Sequence, residues 1–456
     1  MCAVVGVFGD KNASKIAYYA LFSMQHRGQE ATGISSADGK RIHLIKDRGL
    51  VTDVFDEESF KKLKGDCAIG HNRYSTAGDD SILDAQPVFA RYKLGEISVA
   101  HNGNLVNKYE VRNRLIKNGA IFQTGMDTEN IVHLIAKSQE DSLEARIKDM
   151  LNKIEGAYCL IIQSRSKMFV IRDRFGIRPL SIGKLESGGW IVASETCAFD
   201  LVGAEFIRDV KAGEMLIFEK GKEPKSQQIF EPDYRPCAFE YIYFARPDSV
   251  IDGKNVYIKR LEMGRELAKE SPADVDLVIP VPDSGVAAAR GFAKELGVDF
   301  EMGIVRNHYV GRTFIEPTQK ARELKVKLKL SPIKDIISGK RIAIIDDSLV
   351  RGTTSKQIVK MLRDIGAKEV HMRIASPEIK FPCRYGIDTP TKEELISTKY
   401  SPKEIANMMS ADSLGFLSID GLKRALGNDR KYSLVSFDGD YFAGGSADSI
   451  GCIDYY

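Results

Sequence analysis

The chain has 456 residues, of which 43% are hydrophobic and 28% charged, the balance of a globular protein that buries a sizeable core. Its formal net charge of +3 does not point to a nucleic-acid partner, and no apolar run approaches the roughly 18 residues of a membrane span. We therefore expect two or three domains and no nucleic-acid or membrane partner. The start, MCAVVGVFGDK, lacks the basic segment of a signal peptide, and seven scattered cysteines, an odd number, favour a cytoplasmic protein over a disulfide framework.

The first half of the chain consists mainly of short strand-like runs separated by turn residues. Two helical stretches, residues 15–24 and 128–138, interrupt these runs. Strands broken by a few helices predict an α+β layered domain. The strand-like runs are AVVGVFG, HLIKD, ISVAHNG, YCLIIQS and KMFVIRD.

Strands and helices alternate after about Pro232. The run DLVIPVP leads into the helix GVAAARGFAKELG, and RIAIIDD leads through SLVRGTT into the helix SKQIVKMLRDIG and then KEVHMRIAS. Strand–helix–strand units of this size predict a parallel sheet. The tail is predicted to be helical, with capping boxes that begin at Thr391 and Ser401. We expect one domain over residues 2–230 and another over residues 231–456.

Cys2 follows the initiator Met, which a small second residue normally allows to be removed. Cys2 would then carry a thiol nucleophile and a free α-amine, whose unperturbed pKa of about 7.7–8.0 suits a general base at neutral pH. An ordinary buried cysteine is the alternative, because Cys is among the most buried residue types.

Four later segments offer groups that could bind an amino acid and hydrolyse its side-chain amide. Arg73 suits an α-carboxylate and Asp127 an α-ammonium. The side-chain amide of Asn102 and the backbone N–H of Gly103 suit an oxyanion hole. Taken singly, each charged residue is better explained as a surface charge. The segments are QHRGQEATGI, GHNRYSTAG, AHNGNLVN and GMDTEN.

In this order, these segments resemble the glutamine amidotransferase domain of the N-terminal-nucleophile hydrolases, and the resemblance covers about the first 230 residues. It also includes RDRFGIRPL and SET, and it implies a four-layer αββα sandwich. The three histidines in the motifs are interpreted as structural, because the α-amine already serves as the base. The implied catalytic residues are Cys2, Asn102 and Gly103, and the implied glutamine-binding residues are Arg27, Arg73 and Asp127.

The segment RIAIIDDSLVRGTTS, residues 341–355, combines an apolar strand, two acids and a helix start rich in Gly and hydroxyl residues. Ligands of parallel sheets bind at the carboxyl ends of strands, and a helix N-terminus receives phosphate through its free N–H groups. Adjacent acids suit ribose hydroxyls or a magnesium ion. If only the two acids are considered, an ordinary capped helix after a core strand is the alternative to a ligand site.

The whole segment resembles the phosphoribosyl pyrophosphate motif of the type I phosphoribosyltransferases, an α/β parallel-sheet fold. The segment VPDSGVAAARGFA resembles their pyrophosphate loop, and residues 307–330 resemble their flexible catalytic loop. The resemblance implies a Mg2+ site at Ser284, Asp346 and Asp347. The implied phosphoribosyl pyrophosphate-binding residues are Asp346, Asp347, Arg351, Gly352, Thr353, Thr354, Ser355 and Lys329.

The two halves together resemble the amidophosphoribosyltransferase family over nearly the whole chain. The resemblance implies transfer of ammonia from glutamine to phosphoribosyl pyrophosphate, inhibition by purine nucleotides, and a homotetramer. Two alternatives are an amidotransferase of the fructose-6-phosphate type, whose sugar-isomerase repeats are not found, and an inactive paralogue that only binds nucleotides. Intact Cys2, Asn102 and Asp127 argue against the paralogue.

One branch of this family holds a [4Fe–4S] cluster on four cysteines. Cys237 and Cys383 match two of them, but Ser433 and Ser436 occupy the positions of the other two. Two thiolates are too few for such a cluster, so we expect it to be absent.

Overall fold

The computed structural model describes residues 1–74, 82–308 and 328–447. In the first half, the described strands are β1 (Ala3–Phe8), β2 (Ala31–Ala37), β3 (Ile42–Arg48), β4 (Cys67–Arg73), β5 (Val88–Tyr92), β6 (Gly95–Leu105), β7 (Gly156–Ser164), β8 (Lys167–Arg172), β9 (Ser181–Leu185), β10 (Trp190–Ala193), β11 (Ala204–Asp209), β12 (Glu214–Glu219) and β13 (Lys225–Gln228). The helices are α1 (Ala13–Ser23), α2 (Val51–Val54), α3 (Glu57–Lys62), α4 (Lys108–Lys117), α5 (Asp127–Lys137), α6 (Leu143–Leu151) and α7 (Cys197–Val202).

These strands form two antiparallel sheets, in the orders β11-β9-β10-β1-β4-β2-β3 and β13-β12-β8-β7-β6-β5. Side chains alternate along β1 as the strand period requires. Ala3, Val5 and Val7 pack in the core beneath α1, whereas Val4 and Phe8 pack in a core shared with β7 and β8 of the other sheet. Helices α4 to α6 cover the outer face of that second sheet.

The second half contains the parallel sheet expected from its alternating pattern. Its described strands are β14 (Val250–Ile251), β15 (Lys254–Asn255), β16 (Leu277–Pro280), β17 (Ile304–Arg306), β18 (Leu330–Pro332), β19 (Arg341–Asp346), β20 (Glu369–Ile374) and β21 (Ser413–Phe416). The helices are α8 (Val256–Glu270), α9 (Val286–Leu296), α10 (Lys334–Ile337), α11 (Thr353–Asp364), α12 (Pro402–Met409), α13 (Ile419–Leu426) and α14 (Val435–Asp438).

Strands β16, β19, β20 and β21 lie in that order and run parallel. Ile342 and Ile344 of β19 face α11 and α12, whereas Ala343 and Ile345 face α8 and α9, so both faces of the sheet are covered. The prediction of a helical tail is wrong at β21, which adds an edge strand. The capping box at Ser401 does begin a helix, but the one at Thr391 begins only a short 3-10 turn.

The two halves share one hydrophobic core. Met1, Ala157 and Ile177 of the first half pack in the same cluster as Tyr241 and Tyr385 of the second. A single π-helical turn, Glu240–Phe244, lies in this cluster, and we call it the junction turn. No helix among the described residues is long and apolar enough to cross a membrane.

Candidate active sites

Cys2 lies at the N-terminal end of β1, a central strand of the first sheet, where β1 pairs with β4 and β10. Its backbone N–H donates to Asn102 Oδ1 at 3.3 Å, and its thiol lies 3.6 Å from the carbonyl oxygen of Tyr74. Met1 precedes it and is 1% exposed. Burial, together with Arg27 and Arg178, lowers the pKa of the Met1 amine to about 5. The amine of the unprocessed chain is therefore largely neutral at pH 7, and after removal of Met1 the α-amine would be that of Cys2.

Asn102 and Gly103 follow one another in β6, beside Cys2. The side-chain nitrogen of Asn102 is buried and has no hydrogen-bond partner among the described residues. A Cβ at Gly103 would lie 2.0 Å from the carbonyl oxygen of Ala157, so only glycine fits at this position. Asn102 thus has an unsatisfied donor on a side chain that contacts Cys2, as a group that binds a developing oxyanion would.

Arg73 and Asp127 lie near Cys2 on two different elements. Arg73 ends β4, and one of its terminal nitrogens lies 3.4 Å from the carboxylate of Asp84. Asp127 begins α5 and accepts from the backbone N–H of Leu105 at 2.8 Å. Burial acts to raise the pKa of Asp127, but the nearby His101 and the Leu105 N–H outweigh it and lower that pKa to about 2. Asp127 is therefore a permanent negative charge.

Four of the predicted residues line one small cavity of about 20 Å3, together with Tyr74, Gln86, His101 and Met126. That volume holds about one water molecule, so side chains around the cavity must move to admit an amino acid. His101, which is interpreted from the sequence as structural, lines the cavity, and its Nδ1 lies 3.4 Å from the Asp127 carboxylate. The four predicted residues in the lining are Cys2, Arg73, Gly103 and Asp127.

Arg27 does not line this cavity but lies behind Cys2, where it is buried. Its Nε donates to the backbone oxygen of Cys2 at 3.0 Å. Its terminal nitrogens donate to Glu195 at 2.6 Å and to both carboxylate oxygens of Glu240 at 2.9 Å. Two carboxylates therefore already balance its charge, and its contacts are those of a residue that positions Cys2.

The second site lies at the carboxyl end of β19. Asp346 ends the strand, and its carboxylate accepts the backbone N–H of Asp347 at 2.9 Å. Burial raises the pKa of both carboxyls, and the charge of Asp347 raises that of Asp346 further. Hydrogen bonds from Ser284 and Ser348 act in the opposite direction on Asp347. A cation bound between the two acids would relieve their mutual repulsion.

Helix α11 begins at Thr353, directly after Gly352, which has a φ of 73°. The cap of this helix makes no side-chain hydrogen bond, so the first N–H groups are not capped by the residue before them. Arg351 pairs with Glu394 at 2.9 Å and is more than half exposed, and Ser355 is buried. Arg351, Gly352, Thr353, Thr354 and Ser355 therefore surround one helix N-terminus.

Lys329 lies directly before β18, and its carbonyl oxygen accepts the N–H of Asn307. The other basic residues of the predicted catalytic loop, from Arg312 to Lys327, lie outside the described residues.

The four positions that match the iron–sulfur ligands of one branch of the family converge. Cys237 and Ser433 form a parallel bridge, and the backbone oxygen of Ser436 accepts from Lys380 and Phe381, close to Cys383. Both cysteines are buried, and burial raises the pKa of Cys237 to about 11. The hydroxyls of both serines are buried and have no partner within the described part of the chain. Two thiols and two hydroxyls do not fit a [4Fe–4S] cluster.

A family model described as a glutamine amidotransferase domain matches residues 71–200. Amidophosphoribosyltransferase 1, chloroplastic, of Arabidopsis thaliana is 49% identical over 96% of this chain and 78% of the relative. The amidophosphoribosyltransferase of Bacillus subtilis is 46% identical over 96% of this chain and 94% of the relative.

A solved structure of the glutamine phosphoribosylpyrophosphate (PRPP) amidotransferase from B. subtilis, complexed with ADP and GMP, superposes with a TM-score of 0.93. Its sequence is 45% identical, and the match covers 99% of this chain and 100% of that one. The likeness therefore spans both sites.

Proposed function

This chain belongs to the amidophosphoribosyltransferase family, and we propose that its two sites carry out successive halves of one reaction. The enzyme transfers ammonia from glutamine to phosphoribosyl pyrophosphate, which gives phosphoribosylamine, pyrophosphate and glutamate in purine biosynthesis. The observation that carries the assignment of the first site is the unsatisfied donor of Asn102, a side chain that contacts the backbone N–H of Cys2. Membership of this family also decides against an amidotransferase of the fructose-6-phosphate type.

We infer that glutamine is hydrolysed by Cys2 after removal of Met1. The α-amine takes the thiol proton, and the sulfur attacks the side-chain amide carbon of glutamine. The Asn102 side chain and the Gly103 N–H stabilise the negative oxygen that forms. The amine then returns the proton to the leaving ammonia, and water hydrolyses the thioester to glutamate. Arg73 binds the α-carboxylate of glutamine, Asp127 binds its α-ammonium, and Arg27 positions Cys2.

In the second half, ammonia attacks C1 of phosphoribosyl pyrophosphate, the bond from C1 to the pyrophosphate oxygen breaks, and pyrophosphate leaves. We propose that the helix start at residues 351–355 binds the 5-phosphate, that Asp346 and Asp347 bind the ribose, and that Lys329 contacts a phosphate. Helix N-terminal N–H groups and exposed Arg351 suit that phosphate.

Mg2+ fits this site, because half-buried Asp346 and buried Asp347 are adjacent oxygen donors whose charges repel one another. No cluster of three or more His, Cys, Asp or Glu occurs among the described residues, but Mg2+ is usually bound by one or two carboxylates, substrate phosphates and water. Ser284 would complete the protein's share. When bound, the ion neutralises charge on the departing pyrophosphate.

The direct test is glutamate release from glutamine, with and without magnesium phosphoribosyl pyrophosphate. We expect release that rises severalfold when phosphoribosyl pyrophosphate is added, because two sites in one shared core should communicate. Release that ignores it would mean an uncoupled glutaminase. If mass spectrometry shows that the protein begins at Cys2 and it still releases no glutamate, the inactive paralogue would be favoured.

We propose that this chain holds no iron–sulfur cluster and that Cys237 and Cys383 are packing residues. Iron analysis of anaerobically purified protein should find far less than one iron per chain. The double substitution Ser433→Cys and Ser436→Cys restores four thiols at positions that already converge. Reconstitution with iron and sulfide should then load the variant, whereas equal loading of the unmodified chain would overturn the proposal.

We further propose a four-layer αββα first domain over residues 2–230 and a phosphoribosyltransferase domain over residues 231–456. The packing of helices on the outer faces of two facing sheets supports the four-layer arrangement of the first domain.

Purine nucleotides are proposed as inhibitors, because the B. subtilis relative was solved with ADP and GMP. A homotetramer and a cytoplasmic location complete the proposal. The unpaired cysteines of the described residues support that location, and light scattering tests the tetramer.

A further inference from the structure

A short segment with two buried polar side chains borders the cavity beside Cys2. Residues 82–86, which we call the bracing segment, begin with a 3-10 turn, Ile82–Asp84. Asp84 is 1% exposed, and Gln86, which lines the cavity, is 6% exposed. Because buried polar groups need partners, the contacts of these two side chains indicate the role of the segment.

The bracing segment contacts both sheets of the first half. The Asp84 carboxylate lies 3.4 Å from a terminal nitrogen of Arg73, at the end of β4 in the first sheet. The side-chain oxygen of Gln86 accepts the backbone N–H of His101, in β6 of the second sheet, at 2.8 Å. Arg73 and His101 both line the cavity. The segment therefore connects two residues of the cavity wall that come from different sheets.

Lys46, a half-buried residue of β3, holds the bracing segment by its backbone. Its ammonium donates to the carbonyl oxygens of Ala85 and, at 3.4 Å, of Leu83, the residues on either side of Asp84. Burial lowers the pKa of Lys46, whereas the negative charge of Asp84 raises it and the positive charge of Arg73 lowers it. Two positive charges and one negative charge thus lie together at this edge of the cavity.

This set of charges suits a ligand group with a single negative charge, such as the α-carboxylate of an amino acid. Without the Asp84 carboxylate, Arg73 would lose a buried partner and would be repelled by Lys46. An arginine that is no longer held also adopts several rotamers, whereas bidentate contact with a carboxylate requires one orientation of the guanidinium. Asp84 should therefore affect carboxylate binding through the position of Arg73.

We propose that Asp84 and Lys46 are positioning residues that hold Arg73 in place for the α-carboxylate of glutamine. Lys46 fixes the turn that carries Asp84, and Asp84 holds the Arg73 guanidinium at the cavity wall. The inference rests on the proposed function, because it takes Arg73 as a glutamine-binding residue.

The test compares ammonia release from glutamine and from its α-amide, L-glutaminamide, which has the same side-chain amide but no α-carboxylate. Asp84→Asn keeps the size of the side chain and removes its charge. We expect this variant to lower kcat/KM for glutamine by about tenfold or more, mainly through KM, because a misplaced arginine orients the substrate poorly. The kcat for glutamine, and kcat/KM for the α-amide, should stay within about twofold of wild type.

Asp47→Asn is the matched control, because Asp47 is an exposed neighbour of Lys46 and its substitution removes the same charge. It should change the reaction of neither substrate. For Asp84→Asn, kcat/KM for glutamine equal to wild type, an equal loss with both substrates, or a fall in kcat without a rise in KM would overturn the inference. A lower KM for glutamine would also overturn it, since Asp84 would then compete with the substrate for Arg73. A wild-type protein that hydrolyses no glutamine would instead overturn the proposed function.

Lys46→Met is a second variant in case Asp84→Asn does not fold. It should lower kcat/KM for glutamine by a few-fold and leave the reaction of the α-amide unchanged, because Lys46 acts on Arg73 through the bracing segment. When both substitutions are combined, the loss should be no larger than that of Asp84→Asn alone. A Lys46→Met variant that matches wild type with glutamine, or losses that multiply in the double variant, would overturn the inference.

Discussion

The hydrogen bonds of the Asn102 side chain bear most directly on the hydrolysis of glutamine. Its side-chain oxygen accepts the Cys2 N–H, and its nitrogen is left for an acceptor that the described residues do not supply. We expect Asn102→Ala to lower the kcat of glutamine hydrolysis by about 10²- to 10³-fold with a much smaller change in KM, because the lost donor acts on the transition state. Asn118→Ala, on the surface, is the control. A kcat of Asn102→Ala within a few-fold of wild type would contradict the oxyanion role of Asn102.

The charge of Asp127 leads to a prediction about the KM for glutamine and its dependence on pH. Its pKa is lowered from 3.8 to about 2, so its charge is present throughout the neutral range and is lost only as pH falls through about 2. The KM for glutamine should therefore show no titration of this carboxylate between pH 5 and 8. Asp127→Asn should raise that KM by roughly 30-fold or more, because the α-ammonium loses a buried partner. A KM that rises in wild type with a midpoint near pH 6 would contradict this account.

The sequence predicts residues for the chemistry, but not the residues that hold them in place. Cys2, Asn102 and Asp127 could be predicted because their types match the steps of amide hydrolysis. Glu195 and Glu240, the partners of buried Arg27, could not, since a buried ion pair depends on which distant segments meet. The one available signal was a charged residue within the apolar run FEYIYF, where burial demands a partner.

At the scale of elements, the unit of β19, loop and α11 is the most predictable part of the second half. Its strand is apolar on both faces and its helix begins with Gly and hydroxyl residues, so pattern and packing agree. Strand β21 was missed because its four half-buried residues, SLGF, carry no periodic signal. The junction turn was missed because π-helical turns have no sequence signature of their own.

The two acids at the end of β19 give a prediction about stability. Burial and mutual repulsion raise the pKa of Asp346, so its charged form costs stability once pH rises above that pKa. Asp346→Asn should therefore raise the Tm of the ligand-free protein at pH 8, with a smaller gain at pH 5, while abolishing reaction with phosphoribosyl pyrophosphate. Asp388→Asn, at an exposed position, should change neither property. A lower Tm at pH 8 would mean that the acid is structural.

At the scale of the whole molecule, the alternation of the second half predicted its parallel sheet, and the change of pattern near Pro232 predicted two halves. The sequence pattern could not predict which residues of the two halves pack against one another. Met1, Ile177, Tyr241 and Tyr385 come together from distant positions into a single core. Long-range packing of this kind depends on the complete fold, so no local window contains it.

The most direct test of two active sites in one chain is pyrophosphate release by the Cys2→Ala variant, measured with glutamine and separately with ammonia. The account predicts that release with glutamine falls by roughly 10⁴-fold or more, as when a nucleophile is removed, while release with ammonia stays close to wild type. Glutamine-dependent release that survives the substitution would contradict the role of Cys2. Loss of the ammonia-dependent reaction in a folded variant would contradict the independence of the second site.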